Sequence, residues 1–257
     1  MKLEGLGISH SFGDCQVLSD IGLSIPENKI TVILGPNGCG KSTLLKGLSR
    51  IIKLKQGSIF LEGKDINALP SREVAKKLSI LTQSPTGPEG ITVWELVSFG
   101  RYPHKGSLEK FGKEDERIIS DTLKKVGLFE IRHRNLDQLS GGQRQRAWIA
   151  MALAQETSTL LLDEPTAFLD MHYQFEILNL LRELKEQDGK TILMVLHDLN
   201  MASLYGDFIV LLKDGVIFKS GSRDEVLTRG NLFEVFGIKA LPVESEEGLQ
   251  FVFSSTI

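Results

Sequence analysis

One glycine-rich string, Gly35 to Ser42 (GPNGCGKS), constrains the fold of this 257-residue chain more than any other feature. It follows the apolar run KITVILG, Lys29 to Gly35, and leads into the helix-forming stretch STLLKGL. The string matches G-x-x-x-x-G-K-[S/T], the pattern of a loop that joins a buried strand to a helix and cradles a phosphate. Glycines leave backbone N–H groups free to converge on an anion, and the helix N-terminus adds its positive dipole end. We therefore interpret the string as a phosphate-binding loop of an α/β core rather than as a simple turn.

Two side chains of this loop supply specific chemistry. Lys41 would reach the β- and γ-phosphates of a nucleotide, and the Ser42 hydroxyl would bind Mg²⁺. Cys39 occupies a free position of the pattern, and we assign it no redox role. The residues predicted to contact the nucleotide here are Gly35, Pro36, Asn37, Gly38, Cys39, Gly40, Lys41, Ser42 and Thr43.

Strand-like and helix-like segments alternate along the chain on both sides of one interruption. The strand-sized runs are Val17–Ile25, Lys29–Gly35, Gly57–Gly63, Lys77–Gln83, Ser158–Pro165, Lys190–Asp198 and Asp207–Gly221. The last run contains Lys213-Asp214-Gly215-Val216, a hairpin signal. Between about Ser84 and Asp137 the pattern is a loop followed by helices, which predicts a helical insertion in an α/β core. After Gly221 we predict a helical portion, Arg223 to Val235, and one or two short strands.

The run STLLLDEP ends in two carboxylates. Asp163 closes a four-residue apolar stretch, and Glu164 follows it directly. Asp163 would hold Mg²⁺ directly or through water, and Glu164 would lie near the γ-phosphate, where a carboxylate can polarise an attacking water. An Asp-Glu pair alone would more simply end a strand. In a chain that also has a phosphate-binding loop, the pair predicts a nucleotide-hydrolysing site.

The string Leu139-Ser140-Gly141-Gly142-Gln143 predicts a second helix end that can approach an anion. Ser140 is a favourable N-cap, and the two glycines leave the start of the helix bare. One chain would then carry two phosphate-seeking helix N-termini. Because a single nucleotide is unsuited to both within one subunit, we expect a dimer with shared sites.

LSGGQ between a phosphate-binding loop and LLLDEPT resembles the ATP-binding subunits of ABC transporters, over nearly the whole chain. The resemblance implies a P-loop NTPase core of class α/β with a helical subdomain and a small antiparallel β part. A single domain, 1–257, would comprise a core of 1–84 and about 156–257. The helical subdomain, about 85–155, would carry the signature motif, Leu139–Gln143. ATP and Mg²⁺ are the implied ligands.

Four further positions take roles only from this resemblance. Phe12 matches the aromatic residue that stacks on adenine, where a base–aromatic contact contributes about 1–3 kcal/mol. Gln83 matches the glutamine that links Mg²⁺ and water to the helical subdomain, and His197 matches a histidine that contacts the γ-phosphate. Asp170 matches a loop that crosses the dimer interface, although Phe168 is bulkier than the residue usual there. Alone, each would more simply be structural, but together they occur in the family's order. His10, His104, His133 and His172 have no metal-ligand spacing.

The resemblance also implies a mechanism. ATP and Mg²⁺ bind at the loop, with Mg²⁺ held by Ser42, Gln83 and Asp163. Two subunits close head to tail, and Glu164, His197 and Gln83 serve catalysis. The signature residues that reach the partner's γ-phosphate are Ser140, Gly141, Gly142 and Gln143. Hydrolysis reopens the dimer, and the helical subdomain passes that motion to a membrane subunit.

Composition limits the compartment and the partners. The net charge of −3 disfavours a nucleic-acid binder that works by neutralising phosphates. Two cysteines provide no disulfide framework, and the N-terminus has no signal-peptide pattern. No apolar run approaches the roughly 20 residues of a membrane helix. We expect a peripheral protein on the cytoplasmic face of the membrane, partnered by integral-membrane permease subunits and indirectly by a substrate-binding protein.

The segment VWELVSFGRYPHKG, Val93 to Gly106, is similar to the corresponding segment in the ATP-binding subunits of importers of iron–siderophore, haem and cobalamin. This similarity implies an importer of that group. Because siderophore systems are common within it, we expect import of a ferric siderophore, with haem or cobalamin as the next alternative. An exporter's separate ATPase would share the catalytic residues, and only this segment argues against it. A soluble ABC protein outside transport usually has two cassettes or a long coiled coil, whereas this chain has one cassette and no heptad run.

Overall fold

The computed structural model describes residues 1–83, 85–106, 109–245 and 248–255. The strands are β1 (Leu3–Phe12), β2 (Cys15–Ile25), β3 (Ile30–Leu34), β4 (Gln56–Leu61), β5 (Lys64–Asp65), β6 (Leu78–Leu81), β7 (Thr159–Asp163), β8 (Thr191–Val195), β9 (Phe208–Lys213), β10 (Val216–Ser222), β11 (Ile238–Ser245) and β12 (Gly248–Ser255). The α-helices are α1 (Lys41–Leu48), α2 (Ser71–Ala75), α3 (Val93–Ser98), α4 (Lys113–Lys125), α5 (Gly141–Ala154), α6 (Met171–Asp188), α7 (Leu199–Tyr205), α8 (Arg223–Val226) and α9 (Arg229–Phe236).

A six-stranded sheet in the order β10-β9-β3-β8-β7-β6 forms the centre of the molecule. Its five strands from β9 to β6 are parallel, and β10 pairs antiparallel with β9 at the edge. Every residue of β3, β7 and β8 is buried, which explains their unbroken apolar sequence, because both faces of a parallel sheet are covered. Since carboxyl ends of parallel strands meet at one edge, this topology gathers the residues that follow β3, β7 and β8.

A four-stranded antiparallel sheet, β2-β1-β4-β5, packs beside this core and includes Phe12 at the end of β1. The predicted hairpin at Asp214 and Gly215 is confirmed. Val216 pairs with Lys213, and both turn residues have positive φ (49° and 78°), the geometry that a two-residue hairpin loop requires.

Helices fill the chain between β6 and β7. The capping box of Thr92 and Glu95 begins α3, because the Thr92 hydroxyl accepts from Glu95 N while the Glu95 carboxylate accepts from Thr92 N. Helices α3, α4 and α5 share one hydrophobic cluster with the core strands, and Ala147, Ile149 and Ala150 of α5 are fully buried. The subdomain is therefore packed onto the sheet rather than tethered to it.

Within the importer-like segment, Phe99–His104 forms a 3₁₀ helix, and its side chains bond to other helices of the subdomain. Arg101 is only 4% exposed, and it donates to Ala154 O at 2.7 Å and to Asp115 Oδ1 at 3.1 Å. Burial acts to raise the pKa of Asp115, but hydrogen bonds from Lys105, Gly112 N and Arg101 outweigh it and hold that pKa at about 2. The charged part of the segment thus joins α4 to the end of α5.

The C-terminal part differs from its prediction in one respect. The helical portion is divided into α8 and α9, because the Thr228 side chain caps a new helix by accepting from Asn231 N at 3.3 Å. The short strands are present as the hairpin β11–β12. In the described ranges, none of the helices is both long and apolar enough to span a membrane.

Candidate functional site

The ends of β3 and β7 bring the phosphate-binding loop to an acidic side chain. The Ser42 hydroxyl donates to Asp163 Oδ1 at 2.9 Å. Asp163 is 2% exposed, and its second oxygen, Oδ2, is buried without a hydrogen-bond partner in the described part of the chain. Burial raises the pKa of Asp163, while the Ser42 hydrogen bond acts to lower it. A buried, half-satisfied carboxylate beside a hydroxyl is suited to a hard cation such as Mg²⁺.

A cavity of about 190 Å³ lies over the loop. It is lined by Val17, Asn37, Gly38, Gly40, Lys41, Ser42, Thr43, Glu164 and His197. The loop can take this shape only with glycine at two positions. A Cβ on Gly35 would lie 2.1 Å from Leu212 O, and one on Gly40, where φ is +103°, would lie 2.7 Å from Leu18 Cδ2.

Lys41 is buried at the foot of this cavity. Its ammonium group donates to the carbonyl oxygens of Gly35 and Pro36, at 2.8 and 2.9 Å. These two residues, predicted as nucleotide contacts, therefore act in this structure by holding the lysine. The loop residues that line the cavity come later in the chain, from Asn37 to Ser42. Cys39 points away into the core, where burial raises the pKa of its thiol, in keeping with an unreactive cysteine.

Glu164 is clamped between the two other predicted catalytic residues. Gln83 Nε2 donates to Glu164 Oε2 at 2.6 Å, and His197 Nε2 lies 2.6 Å from Glu164 Oε1. The backbone of Glu164 has a φ of +53°, a left-handed conformation that is unfavourable for residues other than glycine. The three residues follow β6, β7 and β8, and two of them, Glu164 and His197, line the cavity.

A second group of predicted residues forms elsewhere, and none of it lines the cavity. The Ser140 hydroxyl accepts from Gln143 N at 3.3 Å and Ser140 N donates to Gln143 Oε1 at 3.1 Å, which confirms the predicted N-cap of α5. Asp170 caps α6 in the same way, accepting from Tyr173 N at 3.2 Å. Gly141 lies beside Leu169 of the preceding loop.

Phe12 stands apart from both groups, 56% exposed, with its ring in edge-to-face contact with the buried His10 at 4.7 Å between centroids. An exposed aromatic face of this kind is open to stacking.

Two residues with contacts in these groups were not predicted from the sequence. Val17 lines the cavity, and Tyr173 packs against Gly142. Neither carries a polar signature, and only the three-dimensional arrangement reveals them.

Two clefts of about 380 and 370 Å³ are larger than the loop cavity. They lie along α4 and α6, where acidic and basic side chains alternate and pair, as Lys125 does with Asp188. Neither cleft is lined by residues of the phosphate-binding loop. Size alone therefore does not identify the functional cavity.

The fold and the residues of the loop agree with the comparisons with known proteins. The sequence profile of the family described as "ABC transporter" matches residues 18–167. The chain belongs to the ABC transporter family. Its predicted fold class, a P-loop NTPase core with a helical insertion, is confirmed. Like the family's nucleotide-binding subunits, it binds and hydrolyses ATP.

Alignments with relatives in the ABC family cover most of the chain. The iron(3+)-hydroxamate import ATP-binding protein FhuC of Bacillus subtilis (strain 168) is 48% identical over 240 residues, 93% of this chain and 88% of that protein. The ferric enterobactin transport ATP-binding protein FepC of Escherichia coli (strain K12) is 41% identical over 243 residues, covering 95% and 90%. A dimeric structure of the bacterial ABC transporter cassette MJ0796 superimposes with a TM-score of 0.77 at 30% identity, covering 86% and 98%.

Proposed function

We propose that this ABC subunit hydrolyses ATP to power an importer of ferric siderophores. The observation that carries the proposal is the position of Glu164, which lines the loop cavity and is held between Gln83 and His197. A carboxylate so placed can accept a proton from water that attacks a γ-phosphate. The substrate class is supported by the relatives, two of which are named for iron(3+)-hydroxamate import and ferric enterobactin transport.

The phosphates and a metal would be held by separate parts of the site. Backbone N–H groups of the loop and of the start of α1 would bind the phosphates, and Lys41 would exchange its carbonyl partners for phosphate oxygens. Ser42, Asp163 and Gln83 would hold Mg²⁺, and the unpaired Oδ2 of Asp163 suits that task. Bound Mg²⁺ would neutralise the charge that develops on the transferring phosphoryl group. Phe12 would stack on the adenine.

The three clamped residues would divide the catalytic work. Glu164 would orient and deprotonate the water, and His197 would hold the γ-phosphate. Gln83 donates a hydrogen bond to Glu164, and it directly precedes the helical subdomain in the chain. A change at the nucleotide site would therefore move Gln83 and, with it, the subdomain. Phosphoryl transfer leaves little covalent chemistry to the protein, so positioning and charge stabilisation should dominate.

A second copy of the chain would complete the site. The signature motif lies outside the loop cavity of its own chain, and a helix N-terminus bare of side chains is suited to an anion. In a head-to-tail pair, Ser140, Gly141 and Gly142 of one copy would meet the γ-phosphate held by the other. The dimeric structure of the related MJ0796 cassette supports such a pair. Asp170 lies at the same end of the molecule as the motif and would face the partner.

The remaining partners follow from the importer assignment. Integral-membrane permease subunits would receive the motion of the helical subdomain, and a substrate-binding protein would deliver the ferric siderophore to them. The chain would act on the cytoplasmic face of the membrane as a peripheral subunit. The division into a core, 1–84 and about 156–257, and a helical subdomain, about 85–155, is part of this proposal.

Co-purification tests this function directly. The chain is tagged, membranes are solubilised in mild detergent, and the captured complex is identified by mass spectrometry and assayed for ATP hydrolysis. We expect a polytopic permease with about two copies of this chain, as the shared site requires. The permease's binding protein is then titrated with ferric siderophores, haem and cobalamin. Recovery of ribosomal or DNA-repair proteins instead would overturn the transport function, and selective binding of haem or cobalamin would overturn the substrate.

A further inference from the structure

The first turn of α6 packs against the signature motif, through Tyr173 on α6 and Gly142 in the motif. A Cβ on Gly142 would lie 2.7 Å from Cγ and 2.8 Å from Cδ1 of Tyr173, so the tyrosine ring stands directly against the glycine backbone. Gly142 is buried by this contact, whereas Ser140 and Gly141 are exposed. The three nearest atoms are Cγ and Cδ1 of the ring and Cβ, which would lie 3.2 Å away. The start of α5 at Gly142 therefore packs directly against the side chain of Tyr173.

Hydrogen bonds at the start of α6 hold the backbone that carries Tyr173, and the His172 ring lies 5.4 Å from the Tyr173 ring between centroids. Asp170 Oδ1 accepts from Tyr173 N, and Gln174 Nε2 donates to Leu169 O at 2.9 Å. A Cβ on Gly141 would lie 3.7 Å from Leu169 Cδ2, so Leu169 extends the same supporting surface. The loop that precedes α6 and the first turn of α6 are therefore bonded to each other, and both contact the motif.

This supporting surface continues along the chain to the catalytic carboxylate. Ala167 N donates to Glu164 O at 3.1 Å, which forms a turn directly after Glu164. Phe168 follows with a φ of +61° and a side chain that is 90% exposed. One short segment thus carries Glu164, which acts on the chain's own nucleotide, and Tyr173, which supports the motif offered to a second copy.

We propose that Tyr173 is a positioning residue that holds the signature motif in register with Glu164. The proposal rests on the shared site proposed above. Without the ring, Gly142 loses the surface on which it packs, and the start of α5 is free to shift relative to the segment that begins at Glu164. Tyr173 touches no reacting atom of its own site, so its loss should weaken dimer closure and leave nucleotide binding by the monomer intact.

The fold itself should tolerate the loss of this ring. Tyr173 is half-buried and lies outside the hydrophobic core cluster, which α6 joins through Ile177, Leu178 and Leu181. Arg146 and Glu176 form a further contact between α5 and α6, with 3.6 Å between Nη1 and Oε2. The helices therefore remain packed when the first turn of α6 is altered.

The test compares dimer formation with monomer binding. Glu164→Gln protein is studied alone and combined with Tyr173→Ala, Tyr173→Phe or Gln187→Ala. Analytical ultracentrifugation with ATP and Mg²⁺ gives the dimer dissociation constant. A fluorescent ATP analogue gives the monomer affinity at low protein concentration, and circular dichroism gives the unfolding midpoint. Gln187→Ala is the matched control, because Gln187 is an exposed residue near the other end of α6.

We expect Tyr173→Ala to raise the dimer dissociation constant at least about tenfold with a monomer affinity within about twofold, since a small misplacement in a preorganised site is costly. Tyr173→Phe should restore dimerisation because it keeps the ring, and Gln187→Ala should leave it unchanged. An unchanged constant for Tyr173→Ala, or a Tyr173→Phe variant as impaired as Tyr173→Ala, would overturn the role of Tyr173. If Tyr173→Ala unfolds, Tyr173→Leu is measured against the same two outcomes. A Glu164→Gln protein that stays monomeric with ATP would overturn the shared site itself.

Discussion

Removing the buried guanidinium of Arg101 should destabilise the helical subdomain strongly. In Arg101→Met, the Asp115 carboxylate, Ala154 O and the Glu156 carboxylate lose donors at 3.1, 2.7 and 2.8 Å. Breaking one side of a buried ion pair costs about 3–5 kcal/mol, because the remaining charge stays buried without compensation. Lys105 still pairs with Asp115, which places the expected loss near the lower limit, at about 3 kcal/mol. That is a large part of the ~5–15 kcal/mol that stabilises a typical domain.

Urea denaturation followed by circular dichroism measures this loss. The matched control is Arg117→Met on α4, which removes an arginine that is 61% exposed and paired with Glu114. An exposed pair contributes about 0–1 kcal/mol, so this variant should unfold almost as the wild type does. Binding of a fluorescent ATP analogue should persist in both variants, because neither residue lines the loop cavity. Equal, small losses for Arg101→Met and Arg117→Met would refute the reasoning.

Three further predictions concern the site and its surroundings. Glu164→Gln should bind ATP but slow phosphate release by roughly 10²–10⁴-fold, the usual contribution of a general base, and near-normal turnover would remove Glu164 from that role. Lys41→Ala should weaken binding of a fluorescent ATP analogue, because the ammonium group that would meet the phosphates is gone; unchanged binding would count against the cradle. The pKa of Asp115 is lowered from 3.8 to about 2 on folding, so its stabilising contribution is present above about pH 4 and is lost as the pH falls toward 2. Urea midpoints of the wild type should therefore decrease more steeply over that range than those of Asp115→Asn, and parallel curves would contradict the assignment.

Local chemistry made part of this molecule predictable from sequence. The loop from Gly35 to Ser42 requires glycines where a side chain would collide with its neighbours, and that requirement is written in the sequence itself. The Asp214-Gly215 turn is equally local, since both residues adopt the left-handed conformation that their types favour. Ser140 caps α5 through a contact only three residues away. Features of this kind involve few residues and short separations.

Contacts between distant segments were not predictable in the same way. Arg101, Asp115 and Ala154 meet only because three helices of the subdomain pack together, and the importer-like segment showed no sign that its arginine is buried. The division of the C-terminal helical portion at Thr228 depends on a capping contact that the helical pattern conceals. Tyr173 was missed for a related reason, because a half-buried aromatic near a helix start has no distinguishing spacing.

The most direct test of the central claim is uptake of a siderophore labelled with radioactive iron. Cells that lack this gene are complemented with the wild type, with Glu164→Gln or with the matched control Gln187→Ala. We predict that the wild type and Gln187→Ala restore uptake and that Glu164→Gln does not, although it assembles with the permease. Equal uptake with and without the wild-type chain, or uptake supported equally by Glu164→Gln, would contradict the claim that ATP hydrolysis at this site drives import of ferric siderophores.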